Sequence, residues 1–154
     1  SMADNKGKPF NLFPCVNRKK TEEYRALLAQ LGLGLEDKMG VKVGNLSGGQ
    51  RQAMALLMST MTPIEFLILD EHTAALDPKT AELIMQLTGK IVAQKKLTTI
   101  MVTHNLRYAV EYGDRLLMMH QGHLELDLSG KEREGLKVEH LLERFNAISI
   151  ECGN

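Results

Sequence analysis

Apolar residues recur at helical spacing in several stretches of the chain. Tyr24, Leu27, Leu28 and Leu31 stand at i, i+3, i+4 and i+7, which predicts a helix from about residue 21. Residues 50–61 are apolar between short polar steps, which predicts a helix buried on most of its surface. Two further patterns of this kind predict helices over residues 79–95 and from about residue 138.

Strand patterns lie between these helices. The stretch FLIL, residues 66–69, is short and apolar on both faces, as in a central strand of a parallel sheet. A second strand, LTTIMVT, follows the 79–95 helix, and strand, helix and strand in this order predict a parallel pair. After a short helix, RLLMMH and HLELDL predict a hairpin with Leu124, Leu126 and Leu128 on one face. The fold class is therefore α/β.

Charge and composition narrow the class of protein. The 154 residues carry 19 Lys and Arg against 19 Asp and Glu, and a net charge of zero argues against nucleic-acid binding. No apolar run approaches the ~18 residues of a membrane span. Cys15 and Cys152 stand near opposite ends and indicate reduced thiols rather than a disulfide framework. These features predict an intracellular protein.

Acidic and histidine side chains follow the two predicted parallel strands. Asp70 and Glu71 come directly after FLIL, and His104 ends the second strand. Ligands of α/β proteins bind at the carboxyl ends of such strands. One carboxylate there could hold Mg²⁺, the other could activate a water molecule, and the imidazole could contact a phosphate. The alternative is a polar strand end with capping and structural roles.

Two helix starts flank this strand. Ser47, Gly48 and Gly49 precede the 50–61 helix, where backbone N–H groups and a hydroxyl can bind an anion. The alternative is a serine N-cap with a glycine turn. Asp77-Pro78 is the sequence of an N-cap followed by proline at the first helical position. The loop from Glu71 to Asp77 could also lie against the same site as the acids.

The stretches LSGGQ, FLILDE, ALDP and TH occur in one order at regular spacings. Together they resemble the signature motif, Walker B strand, D-loop and switch histidine of ATP-binding subunits of ABC transporters, over about residues 20–130. The resemblance implies part of a P-loop NTPase-type core together with the ABC helical subdomain. The implied division is an irregular segment (1–20), a helical subdomain (21–62), the C-terminal part of the ATPase core (63–130), and a C-terminal helix and tail (131–154).

The resemblance also implies a role for each matching residue. Asp70 would serve Mg²⁺, Glu71 would polarise the attacking water, and His104 would contact the γ-phosphate of ATP. Asp77 would couple two sites across a dimer. Ser47, Gly48, Gly49 and Gln50 would contact the γ-phosphate of ATP held by the opposite subunit. One departure is His72, which stands where the family more usually has proline.

The P-loop motif of the family, G-x-x-x-x-G-K-[ST], occurs nowhere in the 154 residues. The aromatic residue that stacks on adenine and the glutamine loop of the family are missing as well. The expectation is a chain that begins after the N-terminal half of the domain. Without the P-loop lysine, the chain alone is expected neither to bind ATP tightly nor to hydrolyse it. An incomplete sheet would leave an edge exposed, and such an edge invites self-pairing or domain swapping.

The favoured function is an ATP-hydrolysing motor subunit of an ABC transport system. Its implied partners are a second ATP-binding subunit and a membrane permease, with no nucleic acid. Its implied place is the cytoplasm, at the inner face of the membrane. The stretch DEHTAALDPKTAEL is similar to ATPases of uptake systems with amino-acid-type permeases. Two alternatives stay open: a soluble ABC-type ATPase outside transport, and a non-catalytic interaction module.

Overall fold

The structure is a computed structural model that describes residues 20–151, with side chains up to residue 147. Most of the predicted irregular segment 1–20, both cysteines and the last three residues lie outside the described residues. The chain divides into two compact units, Ser1–Met101 and Val102–Asn154. In the described part, no helix is both long enough and apolar enough to cross a membrane.

The predicted α/β class is confirmed. The first unit contains three helices and a parallel pair of strands, with two short 3-10 turns between the first helices. In chain order these elements are α1 (Thr21–Ala29), α2 (Gly48–Thr60), β1 (Phe66–Asp70), α3 (Pro78–Lys95) and β2 (Thr98–Val102).

Helix α2 differs from its prediction in both its start and its burial. It begins at Gly48 because Ser47, in extended conformation, caps it. Ala53, Leu56 and Thr60 are buried on one side of the helix, whereas Met58 is 44% exposed. The expectation of a helix buried on most of its surface is therefore wrong within the described residues.

Strands β1 and β2 bury one face of their sheet. Leu67 and Leu69 lie in an apolar cluster with buried residues of α2 and α3. Phe66 and Ile68 alternate with them and are 49% and 64% exposed. Because FLIL is apolar on both faces, the sequence predicted a strand that is covered on both faces. The described residues cover only one.

The second unit contains α4 (Leu106–Glu111), β3 (Arg115–His120), β4 (His123–Ser129) and α5 (Val138–Glu151). The predicted hairpin is confirmed, since β3 and β4 pair antiparallel. An irregularity between Met118 and Met119 pairs Met118 with Leu126 and Met119 with Leu124. One extra residue in a strand turns its neighbours to opposite faces. The prediction that Leu124 shares a face with Leu126 and Leu128 is therefore wrong.

Candidate functional site

The first turn of α2 carries a reciprocal capping arrangement. The Gln50 N–H donates to Ser47 Oγ, and the Ser47 N–H donates to Gln50 Oε1, both at 3.2 Å. The Arg51 N–H donates to the Ser47 carbonyl at 2.9 Å. The first N–H groups of a helix have no partner within the helix. The N–H groups of Gln50 and Arg51 are bonded to Ser47. The N–H groups of Gly48 and Gly49 therefore remain available to a ligand.

The Gln50 side chain faces the interior and is 9% exposed. Besides the Ser47 N–H, its Oε1 accepts from Lys38 Nζ at 3.2 Å. Its Nε2 donates to the Leu33 carbonyl at 2.9 Å. The carboxamide thus joins the start of α2 to the segment after α1. Neither partner could be predicted from the sequence, because neither has a fixed spacing from the motif.

The two glycines lie at a close approach between α2 and the segment that contains the end of the loop and the first turn of α3. A Cβ on Gly49 would overlap Thr80 Cγ2, and one on Gly48 would lie 3.2 Å from Leu76 Cδ2. Neither glycine has a positive φ. Glycine is required at position 49 because of close packing. The backbone conformation there would allow another residue.

Asp70 and Glu71 lie at the carboxyl end of β1, and both are exposed. Glu71 has φ +42°, in the left-handed region that favours glycine. Its carbonyl accepts from the Ala74 N–H at 2.9 Å, which closes the first turn of the loop. The two carboxylates therefore stand at the strand edge where the sequence predicted them.

The loop ends at a second helix cap, and the predicted N-cap at Asp77 is confirmed. Its Oδ1 accepts from the Thr80 N–H at 3.1 Å, and Pro78 occupies the first turn. The hydrogen bonds from Thr80 hold the pKa of Asp77 below its usual value. The carboxylate therefore stays ionised at the positive end of the α3 dipole.

His72 joins the start of the same loop to the middle of α3. Its Nε2 lies 3.2 Å from Thr88 Oγ1, whose hydroxyl also donates to the Ile84 carbonyl at 2.8 Å. The imidazole is half-buried, and this burial lowers its pKa. Thr88 is 4% exposed. His72 stands out in the sequence because it replaces a more usual proline, but its partner Thr88 could not be predicted there.

His104 is exposed and follows β2 in the second unit. It precedes Asn105, whose Oδ1 caps α4 by accepting from the Arg107 and Tyr108 N–H groups at 3.1 and 3.3 Å. The other predicted site residues all belong to the first unit. The fold thus unites the signature stretch, the two acids and the loop in one unit, and His104 lies in the other.

The donor set fits Mg²⁺ held together with a nucleotide better than Mg²⁺ held by protein alone. Among the described residues, no group of three or more His, Cys, Asp or Glu could hold a metal ion. Mg²⁺ in nucleotide sites takes one or two carboxylates, with phosphates and water as the other ligands. The exposed Asp70 carboxylate at the strand end meets that requirement.

Comparison with known sequences gives relatives of one kind. The family model described as "ABC transporter" matches residues 1–74. The "Tyrosine transport ATP-binding protein" of Clostridioides difficile (strain R20291) is 52% identical over 94% of this chain and 57% of its own length. A "Phosphonates import ATP-binding protein PhnC" of Shigella boydii is 30% identical over 84% of this chain and 49% of its own length. The chain thus spans about half the length of these curated relatives.

Solved structures give the same fold. The ATP-binding cassette MJ1267 of an ABC transporter, in its ADP conformation, superposes with a TM-score of 0.70 over 94% of this chain and 54% of that chain, at 23% identity. A dimeric post-hydrolysis state of the cassette MJ0796, bound to ADP and Pi, superposes with a TM-score of 0.61 over 77% and 50%, at 28% identity. The chain belongs to the family of ABC transporter ATP-binding proteins.

Proposed function

We propose that this chain forms the signature-motif and Walker B part of an ATP-hydrolysing motor subunit in an ABC transport system. The observation that carries the proposal is the close packing of Gly49 on Thr80. It places the N-terminus of α2 directly against the first turn of α3, whose N-cap Asp77 ends the loop that follows the two acids. In this proposal, residues 21–62 are the helical subdomain and residues 63–130 belong to the ATPase core.

The start of α2 would bind the γ-phosphate of ATP held by the opposite subunit. The N–H groups of Gly48 and Gly49 and the positive end of the helix dipole favour an anion there. Ser47 Oγ accepts from the Gln50 N–H and still has its own proton to donate. We assign Gln50 to the same phosphate site, because its two hydrogen bonds to Ser47 hold that residue in position.

The acids at the end of β1 would serve hydrolysis. Asp70 would hold Mg²⁺, which supplies charge neutralisation on the phosphates when it is bound. Glu71 would orient the attacking water and accept its proton. His104 would donate a hydrogen bond to the γ-phosphate, and Asp77 would couple the two sites of a dimer. The solved cassette that is described as dimeric and bound to ADP and Pi supports this arrangement.

The 154 residues contain no P-loop motif. A P-loop lysine and its backbone cradle carry most of the contacts to the β- and γ-phosphates in such enzymes. We therefore infer that this polypeptide by itself neither binds Mg²⁺-ATP tightly nor turns it over. Isothermal titration of the chain with Mg²⁺-ATP tests this inference, and micromolar binding would overturn it.

The names of two relatives support a proposal for the transported substrate. One relative, 52% identical, is named for tyrosine transport, and another, 30% identical, for phosphonate import. We infer an uptake system for an amino acid, with an aromatic amino acid as the first substrate to test. Its partners would be a second ATP-binding subunit and a membrane permease, which would hold the motor at the cytoplasmic face of the membrane.

Replacing Glu71 in a completed subunit tests the catalytic assignment. In that subunit this chain follows an N-terminal ATPase segment chosen to contain the P-loop motif G-x-x-x-x-G-K-[ST]. Glu71→Gln is expected to keep ATP binding but to lower turnover by at least ~100-fold, since the carboxamide cannot accept the proton. It should also accumulate an ATP-bound dimer, measured by size-exclusion chromatography.

Glu65→Gln is the matched control, because Glu65 precedes β1 and stands at the opposite end of that strand from Glu71. It should leave turnover within about twofold of the parent. Turnover by Glu71→Gln within a factor of a few of the parent would mean that Glu71 is not the base.

A further inference from the structure

His72 follows Glu71 directly, and its ring reaches a buried residue of α3. Its Nε2 lies 3.2 Å from Thr88 Oγ1, sixteen positions further along the chain. Thr88 is 4% exposed and stands beside Ile84 and Met85, which are almost fully buried. The contact therefore joins the loop after β1 to a buried part of α3.

The hydrogen-bond network defines the direction of this contact. The Thr88 hydroxyl has one proton and uses it to donate to the Ile84 carbonyl at 2.8 Å. Toward His72 it can only accept. The His72 Nε2 must therefore carry the hydrogen, so the neutral ring is the Nε2–H tautomer.

The loop needs to be held, because Glu71 adopts φ +42°. A residue other than glycine keeps that conformation only where its surroundings impose it. At the far end of the loop, the Asp77 cap on the Thr80 N–H supplies one restraint. The His72–Thr88 contact supplies a further restraint, at the residue next to Glu71.

We propose that His72 is a positioning residue, which holds the backbone of Glu71 in place by donating a hydrogen bond from its imidazole to Thr88 on α3. The proposal rests on the proposed function in one respect, because Glu71 is the residue being positioned for hydrolysis. The hydrogen bond itself is independent of nucleotide and of activity. It can be tested in this chain alone.

Two spectroscopic measurements on the 154-residue chain test the hydrogen bond. A long-range ¹H–¹⁵N spectrum should give His72 as the Nε2–H tautomer. Amide hydrogen exchange should show the Ala74 N–H, which bonds the Glu71 carbonyl, exchanging about fivefold faster in His72→Phe, the ratio expected for one net hydrogen bond. The amides of α4 and β3 should not change, because loss of one contact loosens only the loop.

Matched variants separate this contact from general loss of stability. Thr88→Val should reproduce the faster Ala74 exchange. Thr60→Val is its control, since Thr60 is equally buried and also donates to its own helix, at the Leu56 carbonyl. His72→Gln should restore most of the protection, because its amide nitrogen stands as many bonds from Cα as the imidazole Nε2.

Several outcomes would overturn the hydrogen bond as proposed. These are an Nδ1–H tautomer, an Ala74 amide unchanged in both His72→Phe and Thr88→Val, or equal loosening by Thr60→Val. If Thr88→Val fails to fold, the pair His72→Phe and His72→Gln still decides the question through the Ala74 amide.

The consequence for catalysis is measured in the completed subunit described above. His72→Phe should lower kcat about tenfold, with KM for ATP within about twofold, since a misplaced base loses transition-state stabilisation without losing substrate binding. An unchanged kcat beside a loosened loop would overturn the positioning role. If Glu71→Gln also leaves turnover intact, the proposed function fails while the hydrogen bond still stands.

Discussion

Gly49 lies where α2 packs tightly against the first turn of α3. Any Cβ there would meet Thr80 Cγ2. A glycine in a signature stretch is usually explained by the close approach of a ligand to its backbone. The contact with Thr80 gives a second reason for glycine, which applies in the absence of ligand. The two reasons can be separated, because Thr80 can be shortened without touching the helix N-terminus.

Gly49→Ala is expected to lower the free energy of unfolding. Overpacking typically costs about 1–3 kcal/mol, whereas the helix propensity of alanine returns at most about 1 kcal/mol. We therefore expect a net loss of about 1–2 kcal/mol in urea denaturation followed by circular dichroism. Gly44→Ala is the control, since a Cβ on Gly44 meets nothing within 4 Å.

Adding Thr80→Ser to Gly49→Ala should restore most of the lost stability. Serine removes Cγ2 and leaves Thr80 Cβ, which lies at 3.7 Å from the added Cβ, an ordinary contact. If the double variant is as unstable as Gly49→Ala, the loss has another origin than this overlap.

Among the elements, α2 is joined to the segment after α1 by the Gln50 side chain. Gln50→Ala would leave the Leu33 carbonyl and the Ser47 N–H without their partner. Each of these two part-buried hydrogen bonds contributes about 0.5–1.5 kcal/mol, so the free energy of unfolding should fall by about 1–3 kcal/mol. Gln86→Ala, at an exposed residue of α3 that bonds Glu82, should change stability by less than about 0.5 kcal/mol. Thermal denaturation of both variants decides this, and equal Tm values would contradict it.

The β3–β4 hairpin carries a two-point ion pair on its outer face. Arg115 Nε donates to Asp127 Oδ1 at 2.7 Å and Nη2 to Oδ2 at 2.5 Å. These hydrogen bonds hold the pKa of the Asp127 carboxyl below its usual value. The folded carboxyl is thus more acidic than the unfolded one. The stabilisation is complete above the unfolded pKa and is lost as pH falls through the folded pKa.

The free energy of unfolding of Asp127→Asn should therefore differ from that of the parent most at neutral pH and least in acid. The difference in unfolding free energy should shrink steadily below about pH 4, the range in which aspartate protonates. Glu125→Gln, a change of the same chemistry on the same strand, is the control. Urea denaturation from pH 7 to pH 3 measures the difference, and a difference independent of pH would contradict the prediction.

For the molecule as a whole, one face of the β1–β2 sheet exposes large apolar side chains. Phe66, Ile68 and Ile100 are 49%, 64% and 52% exposed. Apolar patches on a sheet favour association with other surfaces. Self-pairing was expected from the sequence because an edge would be exposed. The structure adds an apolar face of the same sheet.

Sedimentation velocity should detect concentration-dependent association of this chain at tens of micromolar, the range typical of exposed apolar surfaces. The double variant Ile68→Thr, Ile100→Thr should weaken this association and lower binding of the dye ANS. Val43→Thr is the control, because Val43 is 51% exposed but lies outside the sheet. Equal weakening by the control would mean that the sheet face is not the contact.

The elements and the order of the site residues could be predicted from the sequence alone. Helical and strand periodicity is a property of neighbouring residues, so α1, α3, the parallel pair and the hairpin follow from it. Caps act within about four residues, so Ser47 and Asp77 could be recognised from their sequence surroundings. The family followed from LSGGQ, FLILDE, ALDP and TH in sequence, and it was confirmed.

Other features depended on contacts between residues distant in sequence. These are the exposed face of β1, the irregular register that turns Leu124 outward, the approach of Gly49 to Thr80 and the bond from His72 to Thr88. Each depends on where the chain path places a second segment, and an apolar pattern does not say whether a partner covers it. The sequence by itself therefore determined the elements, their caps and the family, and only the tertiary structure decided which surfaces and side chains meet.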